Sequence, residues 1–475
     1  MFSSLLSGSG SRRGLSLFAA LLLSVPGLPA REAEPAATPA GDIPNEPRLI
    51  TLSDAISMAL DRNLQLKRSG VDVEIQQNQV EAARGNFQPN LTATASDTVR
   101  YAGSGLESVW DDGQWTNSLS AALSSAMILY NGGGNDASLA RARADLEASR
   151  LDFDRDRQSI LFQVVGQYLQ AVLRLKEIDI QREELASRRV VLDRIKADVE
   201  NGIRIQSEVL RQEAQVAISE RLLAEAIRNY QTSLYGLKDL LLISPSESIS
   251  CAIPPDRWMA AESLSEPDRE VSINAAWDRV DLEAQRYRLE AAREDIRVAR
   301  SGALPVVSAL AGLRSGYNSR GYGDFGSQFG EYQPEVSGGL SIAIPIFDRK
   351  RHETDLVRSK LFLRQEEYFM EGLMQAAETD VLQAILDFNT SKIRLKAARD
   401  QLLASEAALE AEEARYEAGA STILDVNSLR TLRVEAAVAV EEFRFDLFVT
   451  RLGVTFQDGT IESFLMQTLA VPFSN

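Results

Sequence analysis

The sequence predicts a mainly helical fold with a small β part, drawn out along its helices rather than gathered around one compact core. Three observations predict it. Two stretches of about 65 residues, 136–200 and 353–417, contain no proline, and at about 1.5 Å of rise per residue each reaches on the order of 100 Å as a helix. Two others, 89–128 and 305–347, alternate apolar with small polar residues at period two, as strands do. The whole pattern then occurs twice, at an offset of 216 to 217 residues.

The repeat is visible residue by residue. "EAARGNFQPNLTATA" (81–95) lines up with "RVARSGALPVVSALA" (297–311), pairing Arg84 with Arg300 and Pro89 with Pro305. "LSAALSSAMILY" (119–130) lines up with "VSGGLSIAIPIF" (336–347), and Gly202 falls on Gly419. A tandem duplication predicts a first repeat at 49–242 and a second at 269–456. A Pro- and Ser-containing connector (243–268) joins them, and a tail (457–475) follows.

Each repeat has one internal order. A helix of about 35 residues comes first (52–86 and 269–302), and "TLSD" (51–54) opens it in the first repeat with a Ser/Thr-x-x-acid start signal. The β-hairpin follows, then the helix of about 65 residues. A Gly-containing turn closes that helix (201–207 and 418–422), and another helix of about 35 residues ends the repeat (206–241 and 422–456). Stacked end to end, the two shorter helices match the long one in length. Apolar seams such as Leu373, Val381, Leu382, Ile385 and Leu386 predict helices paired side by side as an α-barrel or coiled-coil bundle.

The strands carry the second clue. Along 336–346 one face is Val336, Gly338, Leu340, Ile342, Ile344 and Ile346, and the other is Ser337, Gly339, Ser341, Ala343 and Pro345. About eleven residues of such alternation is the length and pattern of an outer-membrane strand. Four strands fall short of the roughly eight that close a barrel, and the sequence offers no second sheet for a sandwich. One barrel shared among copies of the chain resolves the shortfall.

Composition excludes other classes. The chain carries 51 Lys+Arg against 68 Asp+Glu, a net charge of −17, the wrong sign for a nucleic-acid partner. One cysteine, Cys251, and one histidine, His352, rule out a disulfide framework, His-rich metal sites and Ser-His-Asp catalysis. No cofactor or enzymatic activity is expected. "NGGGND" (131–136) lacks the GKS/T ending of a phosphate loop and reads as a strand-to-helix hinge. At the N-terminus, Arg12 and Arg13 precede "GLSLFAALLLSVPGLPA" (14–30), which predicts a signal peptide at 1–30, an exported protein and a disordered leader at 31–48.

Taken together, "TLSDAISMALDRN" (51–63), "ARGNFQPNL" (83–91), "LYNGGG" (129–134) and "YEAGASTILDVNSLR" (416–430), in this order and duplicated plan, resemble the TolC-like outer membrane efflux protein family over roughly residues 49–456. The resemblance implies a homotrimer with a shared 12-stranded β-barrel in the outer membrane and a long α-helical barrel in the periplasm. It implies an outer-membrane channel subunit of a tripartite efflux or type I secretion system. Its partners would be outer-membrane lipid, a periplasmic adaptor (membrane fusion) protein and an inner-membrane transporter. Substrate would pass without chemistry through an iris-like gate at the helix tips.

By the same resemblance, Tyr416 and Asp425 match gate positions, with Ser207 and Glu208 as their partners on the other hairpin. Asn201, Gly202 and Ile203, and Ala418, Gly419 and Ala420, match the tips against which adaptors dock. Ser421 and Ser428 stand where relatives carry an Arg and a second Asp, and Arg204 is the candidate replacement for that Arg. Asp425 also reads as a capping residue, through Thr422-x-x-Asp425, and the two roles are compatible. A periplasmic coiled-coil adaptor or scaffold is the rival reading, and the duplicated amphipathic strands speak against it.

Overall fold

The structure, a computed structural model, describes residues 47–102, 114–255, 264–332 and 334–469. The expected signal peptide, most of the expected leader and the end of the expected tail lie outside the described residues. The chain runs β1 (Arg48–Ile50), α1 (Leu52–Arg62), α2 (Leu64–Gly85), β2 (Asn90–Ala102), β3 (Gln114–Tyr130), α3 (Gly134–Glu200), α4 (Gln206–Leu241) and β4 (Ile249–Cys251). It continues with α5 (Arg269–Ala276), α6 (Val280–Ser301), β5 (Val306–Asn318), the single turn α7 (Phe325–Ser327), β6 (Glu335–Ala343), α8 (Arg351–Glu417), α9 (Ile423–Gln457) and α10 (Ile461–Leu469).

The two long helices, α3 and α8, have 67 residues each, about 100 Å of rise. The shorter helices line them as the lengths suggest: α2 and α4 both pack along α3, and α6 and α9 both pack along α8. Contacts of α3 with α9 and of α3 with α6 join the repeats, leaving α4 and α8 as the outer members of the helix layer. The main core forms where α3 supplies Ile160, Leu161, Val164, Val165, Tyr168, Leu169 and Val172, a wide stripe at helical spacing. Against it lie Leu52 and Ile56 of α1, Leu237 of α4, Phe448 of α9, and Ile461 and Leu465 of α10. Each such side chain contributes about 1.5–3 kcal/mol by leaving water.

Two sheets are present among the described residues. β1 and β4 pair in parallel, and the buried Tyr168 hydroxyl reaches the carbonyls of Ile50 (3.0 Å) and Ala252 (2.7 Å), tying both strands to the middle of α3. The second sheet is antiparallel, in the order β2-β3-β5-β6, so the two hairpins sit side by side and β2 and β6 are its edges.

Several boundaries differ from expectation. The helices expected at 52–86 and 269–302 are each broken. At Asn63 the backbone leaves the helical region, and its side-chain oxygen accepts the N–H groups of Gln65 (2.9 Å) and Leu66 (3.3 Å), so one residue ends α1 and caps α2. The second repeat breaks at Trp277–Arg279, where Arg279 instead forks onto Asp281. The turn expected at 201–207 is shorter, because Gln206 and Ser207 already belong to α4. Arg48 belongs to β1 rather than to the leader, held by the pairing with β4 inside the connector. The tail contains α10, whose apolar residues complete the main core.

Candidate functional site

The strand register sorts the sheet into two faces. Cross-strand partners share a face, so Leu91, Leu123, Leu313 and Val336, with Met127, Leu340 and Ile342, lie on one side. Thr92, Thr94, Ser96, Ser120, Ser124, Arg314 and Ser337 lie on the other. Neither face of β6 is covered, since all nine of its residues are exposed. A face rich in apolar residues, though it also carries Asp97, Asn117 and Ser125, opposite one rich in hydroxyls, is the arrangement of a strand set between lipid and an aqueous lumen. Aromatic residues mark its ends. Tyr101 packs against Trp115 with the rings tilted by 50° (centroids 5.0 Å apart) at one, and Tyr130 and Phe347 are exposed at the other. The sixteen residues from Trp115 to Tyr130 on β3 span about 50 Å along the strand, or about 35 Å across a membrane at the usual tilt.

At the other end of the helices, the two turns have one geometry. Gly202 and Gly419 both hold φ +72°. In the first, the N–H of Gly202 donates to Val199 and that of Ile203 to Asp198; in the second, Gly419 donates to Tyr416 and Ala420 to Arg415. Both are Schellman closures, which need a left-handed residue after the cap, and glycine enters that conformation without a side-chain clash. Asn201, Gly202, Ile203, Ala418, Gly419 and Ala420 are all exposed.

Between the turns a polar cluster bridges the two hairpins. The Arg204 guanidinium donates to Asp198 (3.0 Å) and Glu208 (3.1 Å) and lies 4.0 Å over the Tyr416 ring. The Tyr416 hydroxyl donates to the same Glu208 oxygen at 3.0 Å. Burial first, and then the Glu208 carboxylate, push the Tyr416 hydroxyl up to about 12, so it stays a donor at ordinary pH. For Arg204, burial favours the neutral form, but the bonds to Glu208 and Asp198 outweigh it and hold the group charged. Below the cluster, Leu192, Ile195, Val209, Leu409, Ile423 and Val426 pack α3, α4, α8 and α9 together. A cleft of about 190 Å³ opens beside Tyr416, lined by Arg194, Ile423 and Arg430 among others.

The other expected gate residues stand apart from this bridge. Asp425 closes a capping box: it accepts the Thr422 hydroxyl (2.7 Å) and N–H (3.3 Å) while its own N–H donates to Thr422 Oγ1 (3.4 Å). The Thr422 hydroxyl, more than any other group, holds its carboxyl below the ordinary range. Ser421 donates to Glu412 and, at 3.5 Å, to Asp425. Ser428 donates to the Leu424 carbonyl (3.0 Å), and Ser207 is exposed in the first turn of α4.

Sequence reasoning missed Asp198 and a buried polar layer above the turns. Arg188 and Glu184, 4% and 3% exposed, pair at 2.5 Å, and Arg188 also reaches Gln215 (2.9 Å) and Thr431 (3.3 Å) on neighbouring helices. Burial raises the Glu184 carboxyl, with Arg188 pulling the other way. Its only signal in the sequence was an acid and a base four residues apart, the same as for any surface pair.

Fold and site define a class: a channel protein of long paired helices with a small membrane-facing β part. The outer membrane efflux protein family matches residues 55–241 and 274–440. Protein CyaE of Bordetella pertussis (strain Tohama I) is 25% identical over 437 residues, 88% of this chain and 88% of that protein. Outer membrane protein OprJ of Pseudomonas aeruginosa (strain PAO1) is 25% identical over 396 residues, 82% of this chain and 79% of OprJ. Among solved structures, CusC shares the fold with a TM-score of 0.74 at 17% identity, over 86% of this chain and 91% of CusC. The chain belongs to the outer membrane efflux protein family. It is an outer-membrane channel component of efflux and secretion systems.

Proposed function

We propose that three copies of this chain close head to tail into one channel, each giving four strands to a barrel and its helix hairpins to a periplasmic tunnel. The observation that carries this is the four-stranded sheet itself, with both edges unpaired, one face apolar and the other hydroxyl-lined. Unpaired edges of this length invite another copy, and a heterologous contact that closes leaves none exposed. The outer helices α4 and α8 bring exposed apolar side chains to the same contact, among them Leu210, Ile218, Leu386 and Ile393. Substrate passes without chemistry. The tips carry the gate, with the Arg204–Glu208–Tyr416 bridge holding the hairpins together in place of the Arg that Ser421 displaces. The exposed turns at 201–203 and 418–420 receive a periplasmic adaptor, which couples the channel to an inner-membrane transporter.

In a trimer, Glu208 and Asp425 would supply six carboxylates around a narrow opening, three of them paired to Arg204, and the remaining excess of acid favours cations. Planar-bilayer conductance of the wild type and of Glu208→Ala combined with Asp425→Ala tests this. A small cation-selective conductance that loses selectivity in the double variant is expected. Unchanged selectivity would reduce the two acids to structural roles, and folded protein that forms no channel would overturn the reading.

A further inference from the structure

Where the second hairpin passes into α8, the sequence reads "IAIPIFDRKRH" (342–352), and its exposed apolar residues end in a run of cations. Ile344, Ile346 and Phe347 are exposed, Phe347 at 84%, and Arg349, Lys350 and Arg351 follow immediately, also exposed. Among the described residues the three cations have no carboxylate partner. Of the two nearest acids, Asp348 turns its carboxylate to the N–H groups of Lys350 (3.0 Å) and His352 (2.7 Å), and Glu353 stands in the first turn of α8.

The matching junction of the first repeat shows what the backbone alone requires. There Gly132 and Gly133 hold φ +68° and +80°; in the second repeat Arg349 and Lys350 hold φ +57° and +66°. The same left-handed pair is thus made once from glycines and once from cations, for which it costs about 1–2 kcal/mol per residue. Both side chains are exposed and make no hydrogen bond or ion pair among the described residues. Their position, beginning two residues past Phe347, the exposed aromatic that ends the apolar face, is the headgroup level of a membrane.

We propose that Arg349, Lys350 and Arg351 form a binding site for the phosphate of anionic phospholipid headgroups in the leaflet facing the helical part. The inference rests on the placement of the sheet in the outer membrane. Phosphatidylglycerol and phosphatidylcholine of equal chain length are titrated onto the purified full-length assembly in detergent and counted by native mass spectrometry. The wild type should prefer phosphatidylglycerol. In Arg349→Gly with Lys350→Gly, a pair the first repeat already tolerates, that preference should fall roughly thirty-fold and lose its salt dependence. Arg320→Gly, at the opposite end of β5, should leave it unchanged.

Equal binding of the two lipids by the wild type, or a preference that survives in the glycine variant, would overturn the proposal. Competition by millimolar inorganic phosphate would reassign the site to a free anion. Loss of assembly by the glycine variant in lipid-free detergent would reassign it to a contact between copies. Bilayer conductance of both proteins separates the readings: channels without lipid preference refute this inference alone, and no channels from either would refute the placement on which it rests.

Discussion

Replacing Arg204 with alanine removes an ion pair to Asp198, another to Glu208 and a ring contact with Tyr416 at once. Bonds to charged groups are worth about 1.5–3 kcal/mol each, so the closed arrangement should weaken by tenfold or more. Single-channel recordings of Arg204→Ala should show longer openings, with Tyr416→Phe, which loses one bond, in between; identical recordings for all three would refute the bridge as a lock. Asp425 answers to pH. Its carboxyl is held low by Thr422, so its contribution is present above the ordinary aspartate value of 3.8 and lost as pH falls through the folded-state value. Protection of the amides at 423–426, measured against the intrinsic exchange rate at each pH, should therefore be high at pH 6 and low near pH 3, whereas in Thr422→Val it should be low at both. Arg188→Ala removes the closest partner of the buried Glu184, leaving Arg433 at 4.0 Å, and costs about 1.5–3 kcal/mol; urea unfolding would reveal it. The Thr422–Asp425 cap could be read from four residues of sequence. The bridge could not, because Arg204 and Tyr416 are 212 positions apart and meet only through tertiary packing.

Among the elements, the two turns make the sharpest claim. A side chain added at Gly202 or Gly419 would meet nothing within 4 Å, so alanine there costs only the left-handed backbone, about 1–2 kcal/mol. Gly202→Ala and Gly419→Ala should each fray the last turn of their long helix, seen as faster exchange near 198–200 and 415–417, with the cores at Tyr168 and Phe388 unaffected. Fraying that spreads to those cores would mean that the turns hold more than themselves. The long helices, hairpins and turns were all legible, since each rests on local period and on proline or glycine placement. The breaks at Asn63 and at 277–279 were not. An Asn inside an apolar-periodic stretch is a weak signal until its side chain is seen to cap the next helix, and the second break has a different residue doing a different job.

For the molecule as a whole, burial raises the carboxyls of Asp145, Asp152, Asp154, Asp295 and Glu462. Groups raised by folding stabilise fully at low pH and lose that contribution as pH climbs through their folded-state values. With a net charge of −17, acidification also relieves self-repulsion. The melting temperature should therefore rise as pH falls toward the ordinary carboxylate values of 3.8 and 4.5, and fall again below 3.8, where Asp54, held down by Thr51, loses its cap. A melting temperature that only falls on acidification from pH 7 would contradict this.

The tie between Tyr168 and strands β1 and β4 has a mechanical consequence. It fixes α3 at its middle, leaving the 32 residues from Tyr168 to Glu200 as an arm of about 48 Å. Tilting that arm by about 5° carries its end through about 4 Å, further than the 3.0 Å that separates Tyr416 from Glu208. A small swing at the fulcrum is therefore enough to part the hairpins, and no helix has to melt for the tips to separate.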